Sequence, residues 1–261
     1  MILSKKDRSQ KLLPINQARI IHQQKIDKIL SFIKDEPYTT ISILQMLLKL
    51  KNTQSIKKIM IGLKSSSIVW EKTITISPAK IISIWGITTH GEMLLLTEQE
   101  VLTRITTRRK SRHIKQYQHT LTLQKIRILA HHAGWTKWIN KSQSAFIGEQ
   151  TSRVDAICTS PAGCAFAIEY ERTLKNINRY RDIVGNRLQS IKRNEYQYIV
   201  WISDDLKVYK RLKKILFSIK YVVVYDTIVC LEKDKHLSKM LCVHYTEWPY
   251  IDEKISCNKS T

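Results

Sequence analysis

The sequence predicts a mixed α/β fold in two parts. A small N-terminal unit has three helices and a β-ribbon, and a larger C-terminal unit has a mixed sheet flanked by helices. Two features of the pattern predict this. Apolar residues recur at helical spacing through the first quarter of the chain. Residues 154–225 instead alternate short, nearly all-apolar runs with amphipathic stretches, as strands covered on both faces do. A hydrophobic content of 43% with only 7 Gly and 5 Pro in 261 residues marks a folded chain.

Residues 1–17 are polar and expected to be loosely held. Residues 18–97 form the first unit. In Ile20–Ile33 the residues Ile21, Ile26, Ile29, Leu30 and Ile33 have helical spacing, and Tyr38-Thr39-Thr40 precedes a second helix, Ile41–Leu50. Thr53 reads as the N-cap of a third, with Ile56, Ile59, Met60 and Leu63 inward and Gln54, Ser55, Lys57, Lys58 and Lys64 outward. Two β-like runs follow, Ile68–Ile76 and Lys80–Ile87, closed by Trp85-Gly86-Ile87-Thr88-Thr89-His90-Gly91.

Residues 98–118 read as a basic linker carrying Arg104, Arg108, Arg109, Lys110, Arg112 and Lys115. Residues 119–261 form the second unit. The expected elements are a helix over Leu121–His132 and strands over Ser144–Gly148, Val154–Cys158 and Ala165–Glu171. A helix over Leu174–Ile191, a buried strand over Tyr196–Ser203, a helix over Asp205–Ile219 and a second buried strand over Tyr221–Tyr225 complete the order. After Leu231 no pattern is evident, although Trp248 and Tyr250 have the character of core residues.

Forty-four Lys and Arg against 22 Asp and Glu give a formal net charge of +22, and both the first 120 residues and the remainder are basic. Charge of that size draws a protein to polyanions. Five cysteines without a Cys-x-x-Cys pair argue against zinc or a disulfide framework and for a reduced, cytoplasmic setting. No apolar run approaches the ~18 residues that span a bilayer, so stable membrane insertion is not expected.

The most informative stretch runs from Arg153 to Arg181. Asp155 opens one short apolar run, a Ser-Pro-Ala-Gly turn follows, and a second run ends in Glu169-Tyr170-Glu171. Strand alternation puts Glu169 and Glu171 on one face and Tyr170 on the other, and a hairpin brings Asp155 beside them. Three converging carboxylates repel one another unless a hard cation neutralises them, and oxygen-only ligands suit Mg²⁺ or Mn²⁺. Glu149, at the end of the preceding run, is a candidate accessory ligand. Arg172, Lys175, Arg179, Arg181 and Arg187 follow on a helix, as phosphate clamps or as counter-charges to the carboxylates.

Three helices followed by a β-ribbon resemble a winged helix-turn-helix, with the third helix entering a DNA major groove. The second unit, with Asp155 on its second strand and Glu169-x-Glu171 ending its third, resembles the PD-(D/E)xK restriction-endonuclease-like core. Coupled to a winged helix, it is similar to the replication-relaxation family and to the MOBC-type plasmid relaxases. His119-Thr-Leu, Arg153-Val-Asp155-Ala, Ala167-Ile-Glu169-Tyr-Glu171-Arg172-Thr173, Arg179-Tyr-Arg181 and Arg187-Leu carry the resemblance, which covers roughly residues 18–226. Val154 stands where the motif has Pro, and Glu171 where many restriction enzymes have Lys.

The resemblance implies a DNA relaxase that nicks one strand at a plasmid transfer origin in the bacterial cytoplasm. Its catalytic residues would be Asp155, Glu169, Glu171, Arg172 and His119, and Mg²⁺ or Mn²⁺ would be held by Asp155, Glu169 and Glu171. Arg108, Arg109 and Arg112 would join the third helix and the clamp arginines in binding DNA. A coupling protein and relaxosome accessory proteins are the implied partners. Two rivals remain: a plasmid replication or partition protein that binds DNA without cutting, and a nuclease with another role, such as restriction or junction resolution. His131 and His132, adjacent on a helix, point about 100° apart and do not form a histidine metal triad with His119. Tyr170 and Tyr180 are the candidates for a covalent nucleophile.

Overall fold

The computed structural model describes residues 14–77, 80–95, 114–140 and 154–251. The chain divides into two compact units, Met1–Ile114 and Lys115–Thr261. Both mix helix and strand, so the fold is mixed α/β as expected. No helix of the described residues is long and apolar enough to cross a membrane.

In the first unit α1 (Ile15–Asp35) begins earlier than its periodicity suggested, directly after Pro14, and buries Ile29, Leu30, Phe32 and Ile33. In α2 (Ile41–Leu47) the Thr40 hydroxyl accepts from the Ile43 amide. The helix stops short of Leu50 because Lys49 takes a left-handed φ of 52°. In α3 (Gln54–Ser65) the inward residues are the expected Ile56, Ile59, Met60 and Leu63. Thr53 sits at its N-cap without a capping bond; the amide of Gln54 instead donates to Asn52 Oδ1 at 3.3 Å. Strands β1 (Val69–Ser77) and β2 (Lys80–Ile87) form the antiparallel ribbon. Thr39, between α1 and α2, exchanges backbone hydrogen bonds of 2.7 and 2.8 Å with Trp85 and so adds a one-residue third strand.

The Thr88-x-x-Gly91 motif has a local cause. The Thr88 hydroxyl donates to the carbonyls of Ser67 and Ile68, and it accepts from the Gly91 amide at 2.9 Å, which starts α4 (Thr89–Leu95). A Cβ on Gly91 would lie 2.2 Å from the Ile68 carbonyl oxygen, so only glycine lets α4 seat there.

In the second unit α5 (Ile114–His132) begins inside the expected linker. Strand β3 (Thr136–Asn140) lies where none was expected, while the expected strand Ser144–Gly148 falls outside the described residues. Then come β4 (Ala156–Thr159), β5 (Ala165–Tyr170), α6 (Ile177–Lys192, capped by the Asn176 side chain), β6 (Tyr198–Ser203) and α7 (Leu206–Ser218, capped by Asp205). A sheet in the order β3-β4-β5-β6-β9 runs through the unit. Its β3-β4-β5 part is antiparallel, and β5, β6 and β9 (Met240–His244) are parallel.

Two expectations are corrected here. Tyr221–Tyr225 is not a strand of the central sheet. Among the described residues strand β7 (Tyr221–Val224) pairs only with β8 (Thr227–Cys230), as a separate hairpin, and its apolar run misled because alternate residues face solvent. The place beside β6 is taken by β9, from the tail that showed no pattern.

Side-chain alternation sends successive residues of β5 to opposite layers. Phe166, Ile168 and Tyr170 pack with Ile126, Ala130, Trp135 and Trp248 on the α5 side. Ala167 joins Tyr180, Val184, Leu212 and Leu216 on the α6–α7 side. Every residue of β6 is buried, as a central parallel strand requires. Burying each large side chain here contributes about 1.5–3 kcal/mol.

Candidate active site

The ends of β4 and β5, with α5 and α6, bring the acidic residues together. Asp155 stands just before β4, where its amide donates to the Ile168 carbonyl at 3.0 Å. Its Oδ2 accepts from the Tyr170 amide at 3.0 Å, so the side chain folds onto the end of β5. His119, from α5, sets Nε2 3.3 Å from the same oxygen, and its ring lies 5.1 Å from that of Tyr170.

Glu169, by alternation, points to the α6 layer. There Arg187 Nε donates to its Oε1 at 2.7 Å, joined by Nη2. Glu171 follows the strand, which ends at Tyr170 rather than running through Glu171 as expected. Its amide donates to the Ile202 carbonyl at 2.9 Å, its side chain is buried, and Oε1 accepts from Lys175 Nζ.

Electrostatics make the cluster tense. Burial raises the Glu169 carboxyl above the ordinary range, and the charges of Asp155 and Glu171 raise it further against the pull of Arg187. Burial also raises Glu171; Lys175 lowers it, and Asp155 raises it again. The three carboxylates thus act on one another electrostatically, and each is met by a basic side chain of the same chain: His119, Arg187 or Lys175.

The other candidates are placed differently. Arg172 Nη1 donates to Gln118 Oε1 and so ties the end of β5 to α5. Arg179 is exposed. The Arg181 guanidinium lies 4.6 Å above the Tyr221 ring. Arg187, considered as a phosphate clamp, has a side chain only 5% exposed and serves as the counter-charge of Glu169. In the first unit Gln54, Lys57 and Lys58 are exposed on α3, Ser55 is half-buried, and Lys64 pairs with Glu71 at 2.8 Å. Glu149, Arg108, Arg109 and Arg112 fall outside the described residues.

Tyr170 and Tyr180 are both buried. The Tyr170 hydroxyl donates to Asp204 at 2.8 Å, and the Tyr180 hydroxyl accepts from the Lys175 amide at 3.3 Å. Burial raises both phenols, Tyr180 to about 12. Neither presents an accessible phenolate. Asp204, which sequence reasoning missed, is signalled only by its place just after the buried β6 run.

The donor set fits a hard divalent cation, since it is oxygen-only and carries mutually repelling carboxylates. Among the described residues no three His, Cys, Asp or Glu side chains form a ready-made ion site. Comparison with protein-family models, with curated proteins and with solved structures finds no match to this chain in any of the three.

Proposed function

We propose that this protein is a metal-dependent DNA endonuclease of the relaxase type, nicking one strand at a plasmid transfer origin. The observation that carries the reading is the order α5-β3-β4-β5-α6-β6 with Asp155, Glu169 and Glu171 drawn together at the ends of β4 and β5. That order and that placement of acids are what the restriction-endonuclease-like resemblance implies. In the first unit, helix, one-residue strand, two helices and ribbon agree with a winged helix, in which α3 enters the major groove.

Asp155 and Glu169 would hold Mg²⁺ or Mn²⁺, which when bound polarises a phosphate and acidifies a water. The chain's own residues do the rest. The Tyr170 amide and His119 fix the Asp155 carboxylate. Arg187 holds Glu169 from the core side, so that its carboxylate keeps one orientation. Lys175 supplies a cation beside Glu171, where many restriction enzymes have their lysine, and it is exposed enough to meet a phosphate. With both tyrosines buried, water is the nucleophile. The coupling protein and relaxosome partners belong to the same proposal.

One observation favours the rival reading of a binder that does not cut: each carboxylate already has a basic partner within the chain. Incubation with supercoiled plasmid carrying a transfer origin separates the readings. Nicking that starts with Mg²⁺ or Mn²⁺ and stops with EDTA supports the relaxase. Bound but closed plasmid supports the rival, and linear product indicates a double-strand nuclease.

A further inference from the structure

The outer face of α7 is strongly cationic. Its inner residues Leu212 and Leu216 are fully buried. Lys207, Lys210, Arg211 and Lys214 are all exposed and, at spacings of three and four, lie along one side of the helix. Lys207 lies within the field of Asp205, while no ion pair forms to Lys210, Arg211 or Lys214 among the described residues. Of the two acids at this end, Asp204 accepts from the Tyr170 hydroxyl at 2.8 Å and Asp205 caps the amides of Lys207 and Val208 at 2.7 and 2.9 Å. Phe217, 40% exposed, continues the same stripe. From residue 207 to residue 217 the helix advances about 15 Å, at ~1.5 Å per residue.

The hairpin that follows α7 carries a second, independent feature. Val222 faces inward beside Gly185, while Tyr221, Val223 and Ile228 face outward and are exposed. At the tip Tyr225 is 84% exposed, and both turn residues, Tyr225 and Asp226, have left-handed φ values of 47° and 61°. Turns of this type favour Asn and Gly. A tyrosine held there, almost wholly in water, is strained with no packing in return, and such outliers cluster at binding sites. The Arg181 guanidinium stacked on Tyr221 adds a cation beside the rings.

We propose that α7 and the β7–β8 hairpin form a contact surface for single-stranded DNA. Lys207, Lys210, Arg211 and Lys214 bind successive phosphates, and Tyr225 stacks on an unpaired base. Basic tracks ending in aromatic platforms bind single strands in this way. The assignment rests on the DNA reading above and extends it. Asp205 follows β6 at the edge where the parallel β5 ends in Glu169 and Tyr170 with Glu171 just beyond, so the track starts at the edge of the acidic cluster and leads away from it. It would hold the strand that a nicking enzyme must keep apart.

The test is fluorescence anisotropy in EDTA with a short oligothymidylate and with a duplex of equal length. The triple change Lys210→Gln, Arg211→Gln and Lys214→Gln should weaken oligothymidylate binding at least tenfold. It should also flatten the salt dependence by about 2 in log–log slope, at ~0.7 for each phosphate no longer neutralised. Tyr225→Ala should weaken oligothymidylate binding roughly fivefold or more and leave duplex binding unchanged, and Tyr225→Phe should behave as wild type. A charge-matched control, Lys125→Gln, Lys137→Gln and Lys233→Gln, should lose little. The proposal is overturned if the control loses as much as the α7 triple, or if Tyr225→Ala affects both DNAs alike. It is overturned too if the α7 triple keeps DNA but loses phosphatidylserine vesicles, which would mark a membrane surface. Binding in EDTA is read apart from nicking, so either reading can fail alone.

Discussion

Arg187 Nε and Nη2 both donate to one oxygen of Glu169, with side chains only 5% and 13% exposed. Of the two roles the sequence left open for Arg187, phosphate clamp or counter-charge to the carboxylates, it thus fills the second, as a buried counter-charge. Buried pairs are costly to break from one side and less so to remove whole. Arg187→Met alone, which leaves Glu169 buried without its counter-charge, should therefore destabilise the second unit by about 3–5 kcal/mol, and adding Glu169→Gln should recover a clear part of that loss. Urea unfolding of wild type, both single variants and the double variant measures the coupling; additive losses would mean that the pair is not coupled.

The same carboxyl sets a pH dependence. Burial and the neighbouring carboxylates raise Glu169 from 4.5 to about 7 in the folded protein. A raised folded value means that the contribution to stability is fully present below 4.5 and is lost as pH rises through about 7. In EDTA, the melting temperature of wild type relative to Glu169→Gln should fall across that window. Parallel melting curves for the two proteins would show that Glu169 does not titrate there.

Lys57→Ala with Lys58→Ala should leave the first unit folded, because both residues are exposed on α3 and its buried face is untouched. If α3 reads the origin, affinity for origin DNA should drop at least tenfold. A change within twofold by gel shift would remove α3 as the reader.

Asp155→Ala or Glu169→Ala should abolish nicking while DNA binding holds or tightens slightly, since a carboxylate that repels phosphate is removed. Tyr180→Phe should keep nicking, because its hydroxyl is buried against the Lys175 amide. Nicking abolished in Tyr180→Phe with binding intact would point to a covalent tyrosine and against water.

What could be read from sequence depended on how each element earns its place. Strands β4, β5 and β6 announce themselves as apolar runs because both faces are covered. Edge strand β3, with Thr136 and Lys137 exposed and its register broken between Thr136 and Ile139, gives no such run. Strand β9 is five residues long and follows the charged stretch Glu232–His236, so its parallel partner β6 is found only in three dimensions. The carboxylates of the site were legible because they end strand runs. Their partners were legible only as candidates: Arg187 and Lys175 stood as possible counter-charges and His119 as a site residue. Which carboxylate each meets was not legible, because Arg187 lies 18 residues from Glu169 and His119 comes from a helix before β3.

The Thr88 clamp has a mechanical consequence. One hydroxyl ties the end of β2 to the residues that open β1, and Gly91 lets α4 rest directly on the Ile68 carbonyl. The two ends of the ribbon are thus stapled at a single point. Tension applied along the chain beyond α4 is borne by these short polar bonds, loaded together, before it reaches the apolar packing of α1 and α3. Gly91→Ala would remove that staple by forcing the backbone apart. The unit should then yield at lower pulling force in a single-molecule experiment, even where its resting structure survives.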